Sequence, residues 1–203
     1  MTLHDYWRSS ASYRVRIGAA LKGLELTRVA VDLRNDAHLT GDLDGLNPQK
    51  LVPVLETDAG ALTQSLAILE YLDDLHPERP LLPADPWARA QQRSLAHVIA
   101  CDVHPICNLR VLRKVKAMGH DQDAVVEWMT TWMQAGFAAL EARAGDGPFL
   151  GGEQPMLPDV VLVPQMYNAR RFEIPLEAYP KLVDITARCE ALEPFQSAAP
   201  VSP

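Results

Sequence analysis

The sequence predicts an α/β domain followed by an all-helical domain. Three observations carry that reading. Short β-rich runs alternate with helical runs over residues 1–80; four prolines (Pro77, Pro80, Pro83, Pro86) crowd the segment His76–Trp87; and every later segment has helical apolar spacing with no strong strand candidate. The boundaries follow at 1–83 for the α/β domain and 88–203 for the helical one, with the proline-rich segment as linker.

Taken in order, Leu3–Trp7 is a short strand and Tyr13–Lys22 a helix with Val15, Ile17, Ala19 and Leu21 among its apolar positions. Gly23 closes that helix as a C-terminal cap. Glu25–Leu33 (ELTRVAVDL) is rich in β-branched residues and reads as a second strand. A polar stretch, Arg34–Gly45, leads to NPQKLVPVLE, whose strand is interrupted by Pro53. Proline cannot donate in a central ladder, so Pro53 marks an edge, a bulge or a cis bond. Asp58-Ala59-Gly60 is a turn, Ala61–Thr63 a short strand, and Ser65–Leu75 a helix with a good N-terminal capping residue. Ala88–Lys116, Asp121–Ala144, Asp159–Arg171 and Tyr179–Leu192 read as helices, and the AAPVSP tail as frayed.

Composition narrows the function classes. The 203 residues are 48% hydrophobic and 22% charged, ordinary for a globular chain, and the net charge is −7. An acidic chain has no general footprint for nucleic acid or anionic lipid. No apolar run of membrane length is present, and MTLHDYWRSS lacks the apolar core of a signal peptide, so neither a span nor a leader is expected. Cys101, Cys107 and Cys189 are an odd set without CxxC spacing, which disfavours a disulfide framework and fits a reducing cytoplasm.

The loops of the first domain carry the chemistry. Arg8-Ser9-Ser10-Ala11-Ser12-Tyr13-Arg14 runs from the first strand into the first helix. Helix N-termini present orphan N–H groups and a positive dipole end, so this junction can hold an anion, including a thiolate, and a serine hydroxyl can donate to it. Taken alone, these serines read better as plain N-terminal caps, because serine at a helix start is common. A Val52-Pro53 pair entering a strand can offer the Val52 backbone to an extended peptide. Gln64-Ser65, at a second helix start, can bind a carboxylate. In this order, the three elements describe a thioredoxin-like domain suited to a small anionic peptide thiol.

The same residues carry a resemblance to a known family. SSASYRVRIGAALKGLE resembles the SSCxxRVRIAL…KG signature of zeta-class glutathione transferases. NPQKLVPVLE and LTQSLAILEYLDDLHP are similar to the same class, and ACDVHPICNLRVL and VLVPQMYNARRF extend the likeness over nearly the whole chain. The class contains maleylacetoacetate isomerases and bacterial glutathione-dependent maleylpyruvate isomerases. Trp7-Arg8-Ser9, with Cys101–Pro105 and Asn108, looks particularly like the latter. The resemblance implies the glutathione transferase fold: a thioredoxin-like N-terminal domain and an all-α C-terminal domain carrying much of the substrate pocket.

It further implies glutathione as cofactor and a homodimer as the assembly. Ser9 would assist the glutathione sulfur, and Ser10, Ala11, Ser12, Tyr13 and Arg14 would line the thiol and helix N-terminus. Gln64 and Ser65 would hold the γ-glutamyl end, Val52 the cysteinyl backbone before a cis Pro53, and His38 and Gln49 the glycyl end. His104, Asn108, Leu109 and Arg110 would contact glutathione from the helical domain. Ala11 departs from the pattern, because that position is often cysteine; thiol chemistry assigned to it is absent here. The expected reaction is cis–trans isomerisation of a maleyl keto acid, with Arg8 catalytic beside Ser9. A dicarboxylate substrate needs paired cations, and guanidinium forks suit carboxylates best. Arg8, Arg110 and Arg171 are the substrate-binding candidates, whereas Arg14, Arg16, Arg113 and Arg170 are read as pairing with surface acids.

Two other functions stay open at this point: a broader transferase that conjugates or dehalogenates small electrophiles, and a non-catalytic glutathione-binding module. Maleylacetoacetate would point to tyrosine breakdown and maleylpyruvate to gentisate breakdown. His97, Cys101 and His104 share one helical face without a further ligand, so no metal is expected. Cys107 and Cys189 read as small core residues, and Trp128 and Trp132 as helix packing.

Overall fold

A computed structural model of the protein describes residues 1–202. Its elements in chain order are β1 (Thr2–Asp5), α1 (Ser10–Leu21), β2 (Thr27–Ala30), β3 (Val54–Thr57), β4 (Gly60–Thr63), α2 (Ser65–Leu75) and α3 (Pro86–His97). A π-helical turn (Val98–Val103) precedes α4 (Leu109–Ala117), α5 (Gln122–Arg143), α6 (Leu157–Arg171), α7 (Pro180–Glu190) and α8 (Glu193–Ala198). Two compact units result, one of residues 1–81 together with those from Leu192 on, the other Leu82–Ala191.

In the first unit the sheet order is β2-β1-β3-β4. β1 and β2 run parallel, with Thr2 opposite Thr27, while β3 is antiparallel to both β1 and β4. A parallel pair needs a crossover, which α1 supplies; the antiparallel β3–β4 pair closes through the tight turn at Asp58-Ala59. β1 ends two residues before the sequence suggested, because the Tyr6 carbonyl turns to accept from Ser9 N–H at 2.8 Å. α1 stops as expected at Gly23, where φ is +70° and Leu24 N–H reaches back to the Ala19 carbonyl at 2.9 Å. Leu3, Val15, Ala19, Leu55, Ile68 and Leu72 form the core between sheet and helices. α1 and α2 approach so closely that a Cβ on Gly18 would lie 2.1 Å from Leu69 Cδ2.

Lys22 ties off this unit. Its ammonium is fully buried and donates to Asp73 Oδ1 at 2.7 Å and to the carbonyls of His76 and Arg79 at 3.0 and 2.7 Å. Burying a charge is tolerable only with such complete pairing. The short helix α8 packs on α1 in this unit, with Phe195 and Ala198 buried. The tail is therefore anchored at Ala198 rather than frayed from there, and the boundary drawn at residue 88 does not anticipate this return. Val201 is exposed, and Pro203 lies outside the described residues.

The second unit is helical. α5 packs on the π-helical turn and on α7, and α6 packs on α3 and α7. Phe137, Met129, Met133 and the run Val160–Val163 are buried without exposed surface. The single helix expected over Ala88–Lys116 is in fact broken. Pro105 cannot donate to the preceding turn, and Asn108 restarts the helix by accepting from Val111 N–H at 3.2 Å through its side chain. No helix among the described residues is long and apolar enough to cross a membrane.

Candidate functional site

α1 begins where β1 leaves the sheet, and this junction organises the candidate site. Ser9 is the N-terminal cap of α1, with extended backbone (φ −67°, ψ 121°), and its Oγ accepts from Ser12 N–H at 3.2 Å. The hydroxyl hydrogen stays available to a further acceptor at the same helix end. Arg8 is half-buried, its guanidinium carbon 5.2 Å from the Trp7 ring centroid. Ser10 and Ala11 are partly exposed in the first turn, while Ser12 and Tyr13 face inward, 0% and 3% exposed.

The start of α2 is the second component. Gln64 caps it with φ +71° and forms no side-chain cap bond, a left-handed conformation that costs a non-glycine residue energy. Its Nε2 donates to Gln49 Oε1 at 3.1 Å, so these two candidates meet on the surface. Ser65, buried, accepts at Oγ from Arg14 Nη1 at 3.3 Å. That bond joins the two helix starts. The Val52-Pro53 peptide is cis, and pairing of β3 with β1 begins just after it, at Val54 opposite His4. His38 is buried in the same β2–β3 connection that contains Gln49.

In the helical unit, His104 follows the π-helical turn, its N–H donating to the Ile99 carbonyl at 2.8 Å. Asn108 spends its side-chain oxygen on capping α4, and Leu109 and Arg110 are exposed in the first turn of that helix. Arg171 ends α6, where Nη2 donates to Asn168 Oδ1 at 2.8 Å and the guanidinium lies 4.3 Å from the Phe172 ring centroid. Its neighbour Arg170 makes a forked pair with Glu190 at 2.7 and 3.0 Å, the surface pairing expected of it. Arg14 and Arg16 correct the sequence reading. Both are buried, 2% and 6% exposed, rather than on the surface: Arg14 bonds Ser65 and Arg16 pairs with the buried Asp5. An arginine amid the apolar run VRIGAA was the available signal.

His97 and Cys101 are exposed, and no group of three or more His, Cys, Asp or Glu among the described residues could hold a metal ion. Burial pushes the Cys107 thiol up to about 12 and the Cys189 thiol upward too, so both are inert thiols.

Comparison with known proteins supplies a context for this geometry. A family model described as glutathione S-transferase, N-terminal domain, matches residues 8–75. The chain is 46% identical over 202 residues to a maleylacetoacetate isomerase of Rhizobium meliloti (strain 1021), covering 98% of this chain and 95% of that protein. A solved holo structure of maleyl pyruvate isomerase, described as a bacterial zeta-class glutathione S-transferase, superposes with a TM-score of 0.96 at 43% identity. The match covers 98% of this chain and 97% of that one. A maleylacetoacetate isomerase from Anaeromyxobacter dehalogenans 2CP-1 is 44% identical with a TM-score of 0.87, covering 98% of this chain and 94% of that one. That structure holds dicarboxyethyl glutathione and citrate in its active site.

Proposed function

Because the chain belongs to the glutathione transferase family, in its zeta class, we propose that it is a glutathione-dependent cis–trans isomerase of a maleyl keto acid, maleylpyruvate or maleylacetoacetate. The observation that carries the proposal is Ser9 as N-terminal cap of α1, at the position where the family signature has its thiol-assisting serine. The donor set suits glutathione. A hydroxyl and a helix N-terminus meet a thiolate, and the Gln64-Ser65 start of α2, with no side-chain cap bond of its own, leaves N–H groups for a carboxylate.

Bound glutathione supplies a thiolate that adds reversibly to the alkene, so that the former double bond turns before the thiolate leaves. The chain's residues then have distinct tasks. Ser9 donates its hydroxyl hydrogen to the sulfur and favours thiolate over thiol. Arg8, beside it in sequence, stabilises the negative charge that develops on the keto acid. Val52 offers its backbone to the cysteinyl unit; Gln64 and Ser65 hold the γ-glutamyl end, with Arg14 fixing Ser65 by their hydrogen bond. His38 and Gln49 meet the glycyl end, and the Gln64–Gln49 hydrogen bond leaves the Gln49 Nε2 donors and the Gln64 Oε1 acceptor for ligand contacts. His104, Asn108, Leu109 and Arg110 contact glutathione, and Arg110 and Arg171 serve the substrate carboxylates. The working form is a homodimer in the cytoplasm, with residues 1–83 as the glutathione-binding domain. The dicarboxyethyl glutathione in the Anaeromyxobacter isomerase supports the chemistry, since that molecule joins a dicarboxylate to glutathione.

The test is purified protein with catalytic glutathione and each maleyl acid in turn, followed by loss of the cis isomer's absorbance. Turnover without net glutathione consumption is expected. Stoichiometric conjugation of a haloacid or aryl halide, with neither acid isomerised, replaces this reading by that of a transferase.

A further inference from the structure

Arg16 lies in the middle of α1, yet its guanidinium reaches three separate pieces of chain. Nη1 donates to Asp5 Oδ2 at 2.8 Å, Nη2 to the Trp7 carbonyl at 3.0 Å, and Nε to the Ala198 carbonyl of α8 at 2.9 Å. Asp5 is 2% exposed and is closed from its other side by Arg28 at 3.1 Å. The guanidinium also lies 5.3 Å from the Tyr13 ring centroid, and the Tyr13 hydroxyl donates to the Phe195 carbonyl at 3.5 Å. A planar fork with donors in fixed directions sets the relative placement of everything it binds; an ammonium on a flexible stem does not.

The Trp7 carbonyl is the informative acceptor. It belongs to the loop that carries Arg8 and Ser9, and the peptide planes between Trp7 and Ser9 leave few soft dihedrals. Holding that carbonyl therefore limits where the Ser9 hydroxyl can point. We propose that Arg16 is a positioning residue for Ser9, and that α8, through the Ala198 carbonyl, is the strut that aims Arg16. The sequence end is then a working part of the site, coupled to its serine through one buried side chain. This inference rests on the reading of Ser9 as the residue that favours the glutathione thiolate.

The test compares Arg16→Met, Arg16→Lys, Ser9→Ala and a chain ended at Gln196, which keeps the buried Phe195 but lacks Ala198. Each is assayed below its melting temperature for kcat, for the glutathione KM, and for the ultraviolet absorbance of bound glutathione thiolate. Arg16→Met should lower kcat by about tenfold or more with the glutathione KM within about threefold. Its thiolate signal should fall alongside. Arg16→Lys should recover part of the loss, and the chain ended at Gln196 should move in the same direction by less. A purely structural role would lower the melting temperature and leave the thiolate signal and kcat of the folded protein unchanged; that result overturns the proposal. Where Arg16→Met does not fold, the chain ended at Gln196 decides, and wild-type values in it overturn the proposal equally. Loss of the thiolate signal in Ser9→Ala but not in the Arg16 variants sinks this inference alone. A wild-type protein that binds glutathione without any thiolate signal sinks the Ser9 reading and this one together.

Discussion

Asp159 offers a sharp test of how burial and hydrogen bonding compete. Its carboxylate is fully buried; Oδ1 accepts from Leu150 N–H at 2.8 Å, and Oδ2 from Gly151 and Met156 N–H at 2.9 Å each. Burial nonetheless outweighs these three donors and pushes the carboxyl up from 3.8 to about 6. The folded protein then binds more protons than the unfolded chain between those two values, so stability rises as pH falls from about 6 toward 4. A shift of that size corresponds to about 3 kcal/mol across the window. Asp159→Asn removes this titration while keeping the shape. In the variant the amide oxygen can serve Gly151 and Met156, and the amide nitrogen then faces Leu150 N–H, at a cost of about 1–3 kcal/mol. Near pH 7 that cost is offset by relief of the buried charge, so the two proteins should differ little. Toward pH 4 the wild type should pull ahead by up to about 3 kcal/mol. Urea unfolding of both proteins at several pH values between 7 and 4 gives the difference directly, because other titrating groups cancel. A gap independent of pH, or a wild type that loses ground on acidification, would refute the dominance of burial.

The other expectations follow from the same structure. Ser9→Ala should keep the fold and lower turnover at least tenfold, about 1.4 kcal/mol of barrier, read by steady-state isomerisation. Met156→Thr should raise stability by about 0.5–1 kcal/mol, because Asp159 already accepts from the Met156 N–H and threonine would add the reciprocal bond of a capping box; a lower melting temperature would count against it. Arg110→Ala and Arg171→Ala should each raise the KM for the maleyl acid by tens of fold, about 2 kcal/mol. Arg171→Ala should change the glutathione KM less than Arg110→Ala does, and an unchanged acid KM in both removes these arginines from substrate binding.

The sequence alone was sufficient for whatever depends on neighbours a few residues apart. The β1-α1-β2 and β3-β4-α2 order, the stop of α1 at Gly23, Ser9 at a helix start and the interruption at Pro53 are all written in local chemistry: capping hydroxyls, glycine at positive φ, proline without an N–H. The pattern of motifs likewise sufficed to recognise the zeta class. Tertiary structure decided where the partners are far apart along the chain. Arg14 meets Ser65 and Arg16 meets both Asp5 and Ala198, so what reads as a polar helix surface becomes a buried bridge. The π-helical turn within the expected Ala88–Lys116 helix sits where Val103 packs against Gly136; a Cβ there would lie 2.3 Å from Val103 Cγ2. Helical periodicity along Ala88–Lys116 carries no information about that packing. The return of α8 to α1 is of the same kind, for a six-residue helix is too short to be stable by propensity and exists because Phe195 and Ala198 are buried against a distant partner.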